Sequence, residues 1–135
     1  MRGGRLIVLL VSGVGLVGIS GCGTSADRTQ VRAVTERFFS ALDAHRGGDA
    51  CRRLSPALRT TLEQEHSTQR CADAVVKTSA HGSAVASVHV YATSARVVLA
   101  SGESVFLSAM RVGWQIDALG CRPRASGPYD CEEQS

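Results

Sequence analysis

The residues of this sequence with the most distinctive chemistry are its five cysteines: Cys22, Cys51, Cys71, Cys121 and Cys131. A cysteine thiol can carry a lipid, form a disulfide, act as a nucleophile or bind a metal ion. No two of these cysteines have the short C-x2-C spacing of a zinc site, and the four histidines are scattered along the chain. We therefore expect no metal site. The five cysteines can still carry a lipid, form disulfides or act as nucleophiles.

The segment before Cys22 has the composition of an export signal. Arg2 and Arg5 give it a positive start, and an apolar stretch follows from residue 6 to residue 17. The next residues, Ile19-Ser20-Gly21-Cys22, resemble the lipobox of bacterial lipoproteins, in which the cysteine becomes a thioether with diacylglycerol. The resemblance implies cleavage between Gly21 and Cys22, which leaves an acylated Cys22 as the new N-terminus. The alternative is an ordinary cleaved signal in which Cys22 has no role.

These N-terminal features predict where the protein is located. Taken as about 14 residues, the apolar span would be roughly 21 Å long as a helix, which is short of a hydrocarbon core of about 30 Å. We expect residues 1–21 to be a lipoprotein signal peptide, residues 22–28 a flexible tether and residues 29–135 one extracytoplasmic domain. The chain would then be anchored through Cys22 to the outer face of the cell membrane, because two acyl chains bind a membrane stably.

Setting Cys22 aside leaves four cysteines in a domain that is exported to a compartment where disulfides form. Of the three possible pairings we favour Cys51–Cys71 with Cys121–Cys131, because each closes a local loop and predicted strands separate the two pairs. Each disulfide is expected to stabilise the fold by about 3 kcal/mol. This pairing leaves no thiol for nucleophilic catalysis.

Length and composition are those of one globular domain, with 135 residues of which 44% are hydrophobic and 20% charged. The net charge of +3 falls to +1 when Arg2 and Arg5 are removed with the signal. This basic excess is too weak to indicate a nucleic-acid-binding protein. No glycine-rich phosphate loop, G-x-S-x-G elbow or H-E-x-x-H motif is present in the sequence, so it predicts no cofactor.

The first half of the domain, residues 29–78, has the pattern of helices. In its first helix the apolar residues recur at helical spacing, at Val31, Val34, Phe38 and Leu42. Gly47-Gly48 is expected to end this helix, and Ser55-Pro56 to begin a later one. Three arginines lie between and after these signals, and we interpret them as a solvated face rather than an anion site: Arg52, Arg53 and Arg59.

The second half, residues 84–119, alternates between apolar and polar residues as strands do. Four strands are predicted, with connections so short that only hairpins are possible: Val85–Ala92, Ala95–Ala100, Ser104–Met110 and Trp114–Leu119. The domain is therefore expected to be α+β, with N-terminal helices packed on a curved four-stranded antiparallel β-meander. Residues 120–135 would form a tail closed by a disulfide.

The alternation divides the strand residues between two faces of the sheet. We expect the helices to cover the more apolar face: Val88, Val90, Val97, Leu99, Val105, Leu107, Trp114 and Ile116. The opposite face is mixed, and an apolar patch on it predicts a homodimer through this surface: Ser87, His89, Tyr91, Val98, Phe106, Met110 and Leu119, with Arg96 and Asp117. Trp114, the only tryptophan, is interpreted as a core anchor beside the C-terminal disulfide rather than as a ligand platform.

Helices followed by a long antiparallel meander resemble the cone fold of nuclear transport factor two, ketosteroid isomerase and the SnoaL-like cyclases, a cystatin-like layering. The end of the chain is similar to that of a group of small lipoproteins from high-GC Gram-positive bacteria: Gly113-Trp114, Ile116, Gly120-Cys121, Pro123 and Pro128-Tyr129-Asp130-Cys131. That group is a family of unknown function. The resemblance implies a fold and a location in the cell envelope, and it implies no reaction.

Enzymes with a cone fold hold acid-base groups in an apolar pocket, and the candidates for such groups here are His89, Tyr91 and Asp117. His89 and Tyr91 share a sheet face by alternation. The alternative, which we favour, is that all three lie on a solvated or dimeric sheet surface. They would count as catalytic only if the structure placed them in an enclosed pocket with hydrogen bonds between ionisable groups.

Together these patterns predict a membrane-anchored lipoprotein of the cell envelope. Its domain would bind a small apolar ligand or another envelope protein without catalysing a reaction. The alternative function is a small acid-base isomerase or dehydratase that acts on an apolar substrate in a cone pocket.

Overall fold

The structure is a computed structural model that describes residues 24–135. The predicted signal peptide, its cleavage site after Gly21 and the predicted lipidation site Cys22 lie outside the described residues. Within residues 24–135, no helix combines the length and the apolar composition needed to cross a membrane.

The first helix, α1 (Ser25–Asp43), begins at a complete capping box. The Thr24 hydroxyl accepts a hydrogen bond from the backbone N–H of Asp27 at 3.2 Å, and the Asp27 carboxylate accepts one from the backbone N–H of Thr24 at 3.1 Å. Residues 25–28 are therefore helical, and the prediction of a flexible tether over residues 22–28 was wrong for them. The physical reason is the T-x-x-D capping signal at Thr24 and Asp27, which begins the helix before residue 29.

Three shorter helices follow: α2 (Gly47–Cys51), α3 (Pro56–Glu65) and α4 (Cys71–Val75). Ser55 caps α3, because its hydroxyl accepts from the backbone N–H of Leu58 at 3.2 Å. Gly47 begins α2 and packs against α4. A Cβ at residue 47 would lie 2.1 Å from the carbonyl oxygen of Ala72, so the close approach of these two helices requires glycine here.

The sheet is antiparallel and has five strands in the order of the sequence: β1 (Val85–Tyr91), β2 (Ser94–Leu99), β3 (Ser104–Met110), β4 (Gly113–Cys121) and β5 (Glu133–Gln134). The α+β class is confirmed, and the sheet has one strand more than predicted. The tail folds back so that Glu133 pairs with Leu119 and Gln134 with Ala118. A two-residue strand has no periodicity that a sequence pattern could reveal.

The helices cover one face of the sheet, which we call the inner face, and the other is the outer face. Ala95, Val97 and Leu99 of β2 are buried on the inner face among helix residues such as Val31 and Phe38. In β4, the backbone of Ile116 exchanges hydrogen bonds with residues 53 and 55 at 2.8 Å each. These bonds attach the helical layer to β4 directly.

Strand β4 contains two irregularities that change which face its side chains occupy. Phe106 pairs with Ala118 but Leu107 pairs with Ile116, so Asp117 is an extra residue on β4, and a second shift lies between Ser104 and Phe106. Leu119 is consequently buried in the same core cluster as the inner-face residues. The prediction that Leu119 lies on the outer face was wrong, because simple alternation does not survive a bulge.

Trp114 is 7% exposed and belongs to the core cluster, as expected of a core anchor. It lies at the start of β4, whereas Cys121 ends that strand, so Trp114 is not beside the C-terminal disulfide. Its indole N–H instead donates to the carboxylate of Asp27 at 3.4 Å. Trp114 therefore joins β4 to the first turn of α1.

The structure pairs Cys51 with Cys71 and Cys121 with Cys131, which is the pairing favoured from the sequence. The first disulfide joins α2 to α4, and the second joins the end of β4 to the tail. The helical layer and the tail each have one covalent constraint.

We expect each disulfide to stabilise the domain by about 3 kcal/mol, since each closes a loop of moderate length in the unfolded chain. The double variants C51A/C71A and C121A/C131A should each lower the free energy of unfolding by that amount, as measured by urea denaturation of the oxidised proteins. A double variant whose free energy of unfolding equals that of the parent protein would contradict this account for the disulfide concerned.

Candidate functional site

The candidate site is a small pocket on the outer face of the sheet, beneath the C-terminal tail. Its volume is about 230 Å³. Strands β1 to β4 and the tail contribute its lining: Tyr91, Ser94, Ala95, Arg96, Phe106, Leu107, Ser108, Asp117 and Tyr129. This volume lies below the range of about 300 to 1,000 Å³ that is typical of pockets for drug-sized ligands. The pocket therefore fits a small molecule or one part of a larger one.

The tail is fixed over the outer face by a disulfide and an ion pair. Cys121 is fully buried and bonded to Cys131. Arg122 exchanges backbone hydrogen bonds with Asp130 at 2.7 and 2.9 Å, and its guanidinium contacts the Glu103 carboxylate at 2.5 Å. These contacts hold the intervening loop, and with it Tyr129, against the sheet.

Tyr129 forms one wall of the pocket and contacts two outer-face side chains. Its ring meets that of Phe106 edge to face, with the ring centroids 5.0 Å apart. Its hydroxyl accepts a hydrogen bond from Nη1 of Arg96 at 2.7 Å. Nε of Arg96 is buried and donates to no atom of the described residues. A buried donor without an acceptor is costly, so this nitrogen is a candidate point of contact for a ligand.

Asp117 lies on the other side of Phe106 from Arg96, because β3 runs between β2 and β4. It is partly buried, and its carboxylate accepts a short hydrogen bond from the Ser108 hydroxyl. The bulge in β4 is what places Asp117 beside Ala118 opposite Phe106. The pocket therefore has an aromatic floor with a cation on one side and a carboxylate on the other.

The three candidate catalytic residues do not form one group. Tyr91 is 57% exposed and lies at the rim of the pocket, while Asp117 lies inside it. His89 pairs with Arg96 across β1 and β2 but is exposed and outside the pocket lining, where its Nε2 lies 3.1 Å from the Ser87 hydroxyl. Tyr91 and Asp117 share a pocket, and no hydrogen bond joins any two of the three.

Arg96 lies on the outer face as predicted, but its contact with Tyr129 was not predicted, and Tyr129 was not among the candidate site residues. The two residues are 33 positions apart in sequence. The available signal was indirect: Tyr129 lies two residues before Cys131, and a cysteine bonded to the end of β4 must bring its neighbours back to the sheet.

The tail also bears on the predicted homodimer, because Tyr129 covers part of the outer face that such a dimer would use. Tyr91 and Met110 remain exposed on this face. The homodimer stays a prediction, and its surface would have to include residues of the tail.

Two of the three arginines considered for an anion site share a surface. Arg52 and Arg53 both line a groove of about 550 Å³ along α1, together with Arg37 and Trp114. The guanidinium of Arg52 pairs with Asp49, and Nε of Arg59 donates to the carbonyl oxygen of Leu54 at 3.0 Å. The interpretation of the three arginines as a solvated face stays a prediction.

A second cluster of titratable groups lies where β5 meets α3. Glu133 is 7% exposed, and Oε1 of Glu133 lies 3.8 Å from Nε2 of His66. Burial, a hydrogen bond with Glu65 and the negative charges of Glu65 and Glu132 raise the pKa of Glu133 to about 7. This cluster joins the tail to the helical layer and is separate from the pocket.

Neither a protein-family model, nor a curated protein, nor a solved structure matches this chain. The resemblance to the cone fold and to a lipoprotein group therefore stays a prediction that rests on the residues themselves.

The raised pKa of Glu133 gives a pH dependence of stability with a definite sign. Between pH 4.5 and about 7 the folded protein retains a proton that the unfolded chain has released, so the free energy of unfolding falls as the pH rises. We expect a contribution of up to about 3 kcal/mol, which E133Q should remove because a glutamine stays neutral. Urea denaturation at pH 4.5 and pH 8 measures it.

A matched control is E36Q, since Glu36 is an exposed carboxylate in an ion pair with Arg32. This variant should keep the pH dependence of the parent protein. The account is wrong if E133Q and E36Q show the same change in unfolding free energy between the two pH values.

Proposed function

We propose that this protein is a lipid-anchored extracytoplasmic binding module of the cell envelope, and that the pocket beneath its tail holds the ligand. The lipid anchor is supported by the sequence from Arg2 to Cys22. The binding function is supported above all by one observation, which is the buried, unaccepted Nε of Arg96 in an aromatic pocket.

The pocket side chains define the chemistry of the ligand. Phe106 and Tyr129 offer ring surfaces for an apolar or aromatic body, and Arg96 offers a donor to a carboxylate or another anionic oxygen. Asp117, on the far side of Phe106, can accept a hydrogen bond from a hydroxyl or an amine. The ligand is therefore a small, mainly apolar molecule with an anionic group at one end and a hydrogen-bond donor at the other.

Binding fits this site better than acid-base catalysis. Proton transfer needs a group whose pKa lies near the working pH and which is shielded from water. His89 and Tyr91 are exposed, so neither is shielded from water. The alternative of an isomerase or dehydratase would depend on Asp117 and Tyr129 alone, and the described contacts give these two residues no hydrogen bond with each other.

The cone-like architecture is part of the same proposal. The two register shifts in β4 support it, because bulges bend a strand and increase its twist. The helices and the inner face of the sheet share one cluster of buried apolar side chains. In this proposal the ligand therefore binds on the outer face. The tail covers the pocket there, as a helix covers the pocket of a cone fold.

The ligand class can be tested with 4-hydroxybenzoate, which has a carboxylate and a hydroxyl at opposite ends of a ring. The parent protein should bind it in isothermal titration calorimetry, and R96Q should weaken the binding by about tenfold or more, since hydrogen bonds to charged groups contribute about 1.5–3 kcal/mol. R70Q is the control, because Arg70 is an exposed arginine of the helical layer that pairs with Asp73. Equal weakening by both variants would mean that only general charge matters.

The lipid anchor predicts the mass of the mature protein. In a bacterial host that modifies lipoproteins, we expect a chain that begins at Cys22 and carries a diacylglycerol thioether, and the protein should be found in the membrane fraction. The C22S variant should be neither acylated nor cleaved at this site. A mature parent chain that starts at another residue and has no lipid would contradict the anchor and leave the pocket proposal standing.

A further inference from the structure

One end of the sheet has most of the exposed large apolar side chains of residues 24–135. The turn between β3 and β4 exposes Val112 by 81% and Met110 by 40%, and Tyr91 at the end of β1 is 57% exposed. We call Tyr91, Met110, Arg111 and Val112 the tip. The fourth large apolar side chain that is exposed in this range is Val76, which follows α4.

The start of α1 lies beside the tip. The indole of Trp114 contacts Asp27 in the first turn of α1, and Val112 shares a groove with Thr29 and Gln30. Cys22 precedes the first residue of α1 by three positions, and three residues of chain span at most about 11 Å between Cα atoms. A lipid on Cys22 would therefore hold the tip close to the membrane.

The charge around this end of the molecule is positive. Arg111 is exposed in the tip, and Arg37 and Arg53 line the adjoining groove. Asp49 pairs with Arg52 and Arg46, whereas Asp27 accepts hydrogen bonds from the neutral side chains of Thr24 and Trp114 and keeps its charge. Among the described residues, the three arginines Arg37, Arg53 and Arg111 therefore outnumber the one carboxylate near this end that is not in an ion pair. Basic side chains near apolar ones suit a membrane surface, since the arginine heads can reach anionic headgroups while the apolar groups enter the interface.

We propose that the tip docks on the anionic surface of the membrane in which the protein is anchored, with Val112 and Met110 inserted at the headgroup level and Arg111 on lipid phosphates. This inference rests on the lipid anchor of the proposed function. In the docked orientation the N-terminus of α1 lies at the bilayer. Because Tyr91 belongs to the tip and also lines the pocket, the rim of the pocket lies near the headgroups.

The test compares two tryptophan substitutions at exposed valines, V112W in the tip and V76W beyond α4. The full chain is made in a lipid-modifying host and reconstituted in vesicles of phosphatidylcholine and phosphatidylglycerol with brominated acyl chains, which quench nearby tryptophans. After subtraction of the Trp114 signal of the parent protein, V112W should be quenched several-fold more strongly than V76W.

Charge is tested by adding R111Q to V112W. Each basic residue near an anionic surface changes binding by about fivefold, so R111Q should reduce the quenching of V112W in vesicles that contain phosphatidylglycerol and not in pure phosphatidylcholine. R124Q is the control, because Arg124 follows the opposite end of β4 and should leave the quenching unchanged.

Two outcomes would overturn the proposal, and they are distinguishable. A lipidated chain, established by the mass of the same sample, in which V112W and V76W are quenched equally would refute the docked tip and leave the anchor intact. A chain without lipid on Cys22 would refute the anchor and the tip with it. Because both valines are exposed, circular dichroism of each variant should match that of the parent protein.

Discussion

The attachment of the C-terminal tail to the outer face of the sheet is the constraint on which the candidate site depends. The covalent part is the bond between Cys121, fully buried at the end of β4, and Cys131. The non-covalent part is the contact of Tyr129 with Arg96 and Phe106. Without these contacts the outer face would be an open, mixed surface. With them, a loop that has little secondary structure closes a pocket over the first four strands.

Much of the fold follows from patterns that the sequence displays directly. Helical spacing, the Ser55-Pro56 start signal and short hairpin connections predict the helices and the first four strands, because each depends on local residues. The errors are at positions where tertiary contacts decide. The bulge at Asp117 reverses the expected orientation of Leu119, and β5 forms where the tail, bonded to the end of β4 by the second disulfide, pairs with that strand. Neither feature has a periodic signal.

The candidate site was only partly predictable for the same reason. Tyr91 and Asp117 were identified because alternation places them on a common face, and both line the pocket. His89 satisfies the same alternation but lies outside the pocket, since sharing a face does not establish proximity. The decisive pair, Arg96 and Tyr129, joins a strand to a loop 33 residues away. Such a contact depends on how the tail folds back, which spacing along the chain does not reveal.

The two adjacent glycines at the start of α2 differ in the space that each has for a side chain. Gly47 faces the backbone of Ala72 with no room for even a methyl group, whereas nothing lies within 4 Å of a Cβ at Gly48. In a saturation mutagenesis library selected for folded protein, few substitutions should thus be recovered at Gly47 and many at Gly48. Two adjacent glycines would then differ in their tolerance of substitution. The difference would measure how closely α2 and α4, which share the Cys51–Cys71 disulfide, pack against each other.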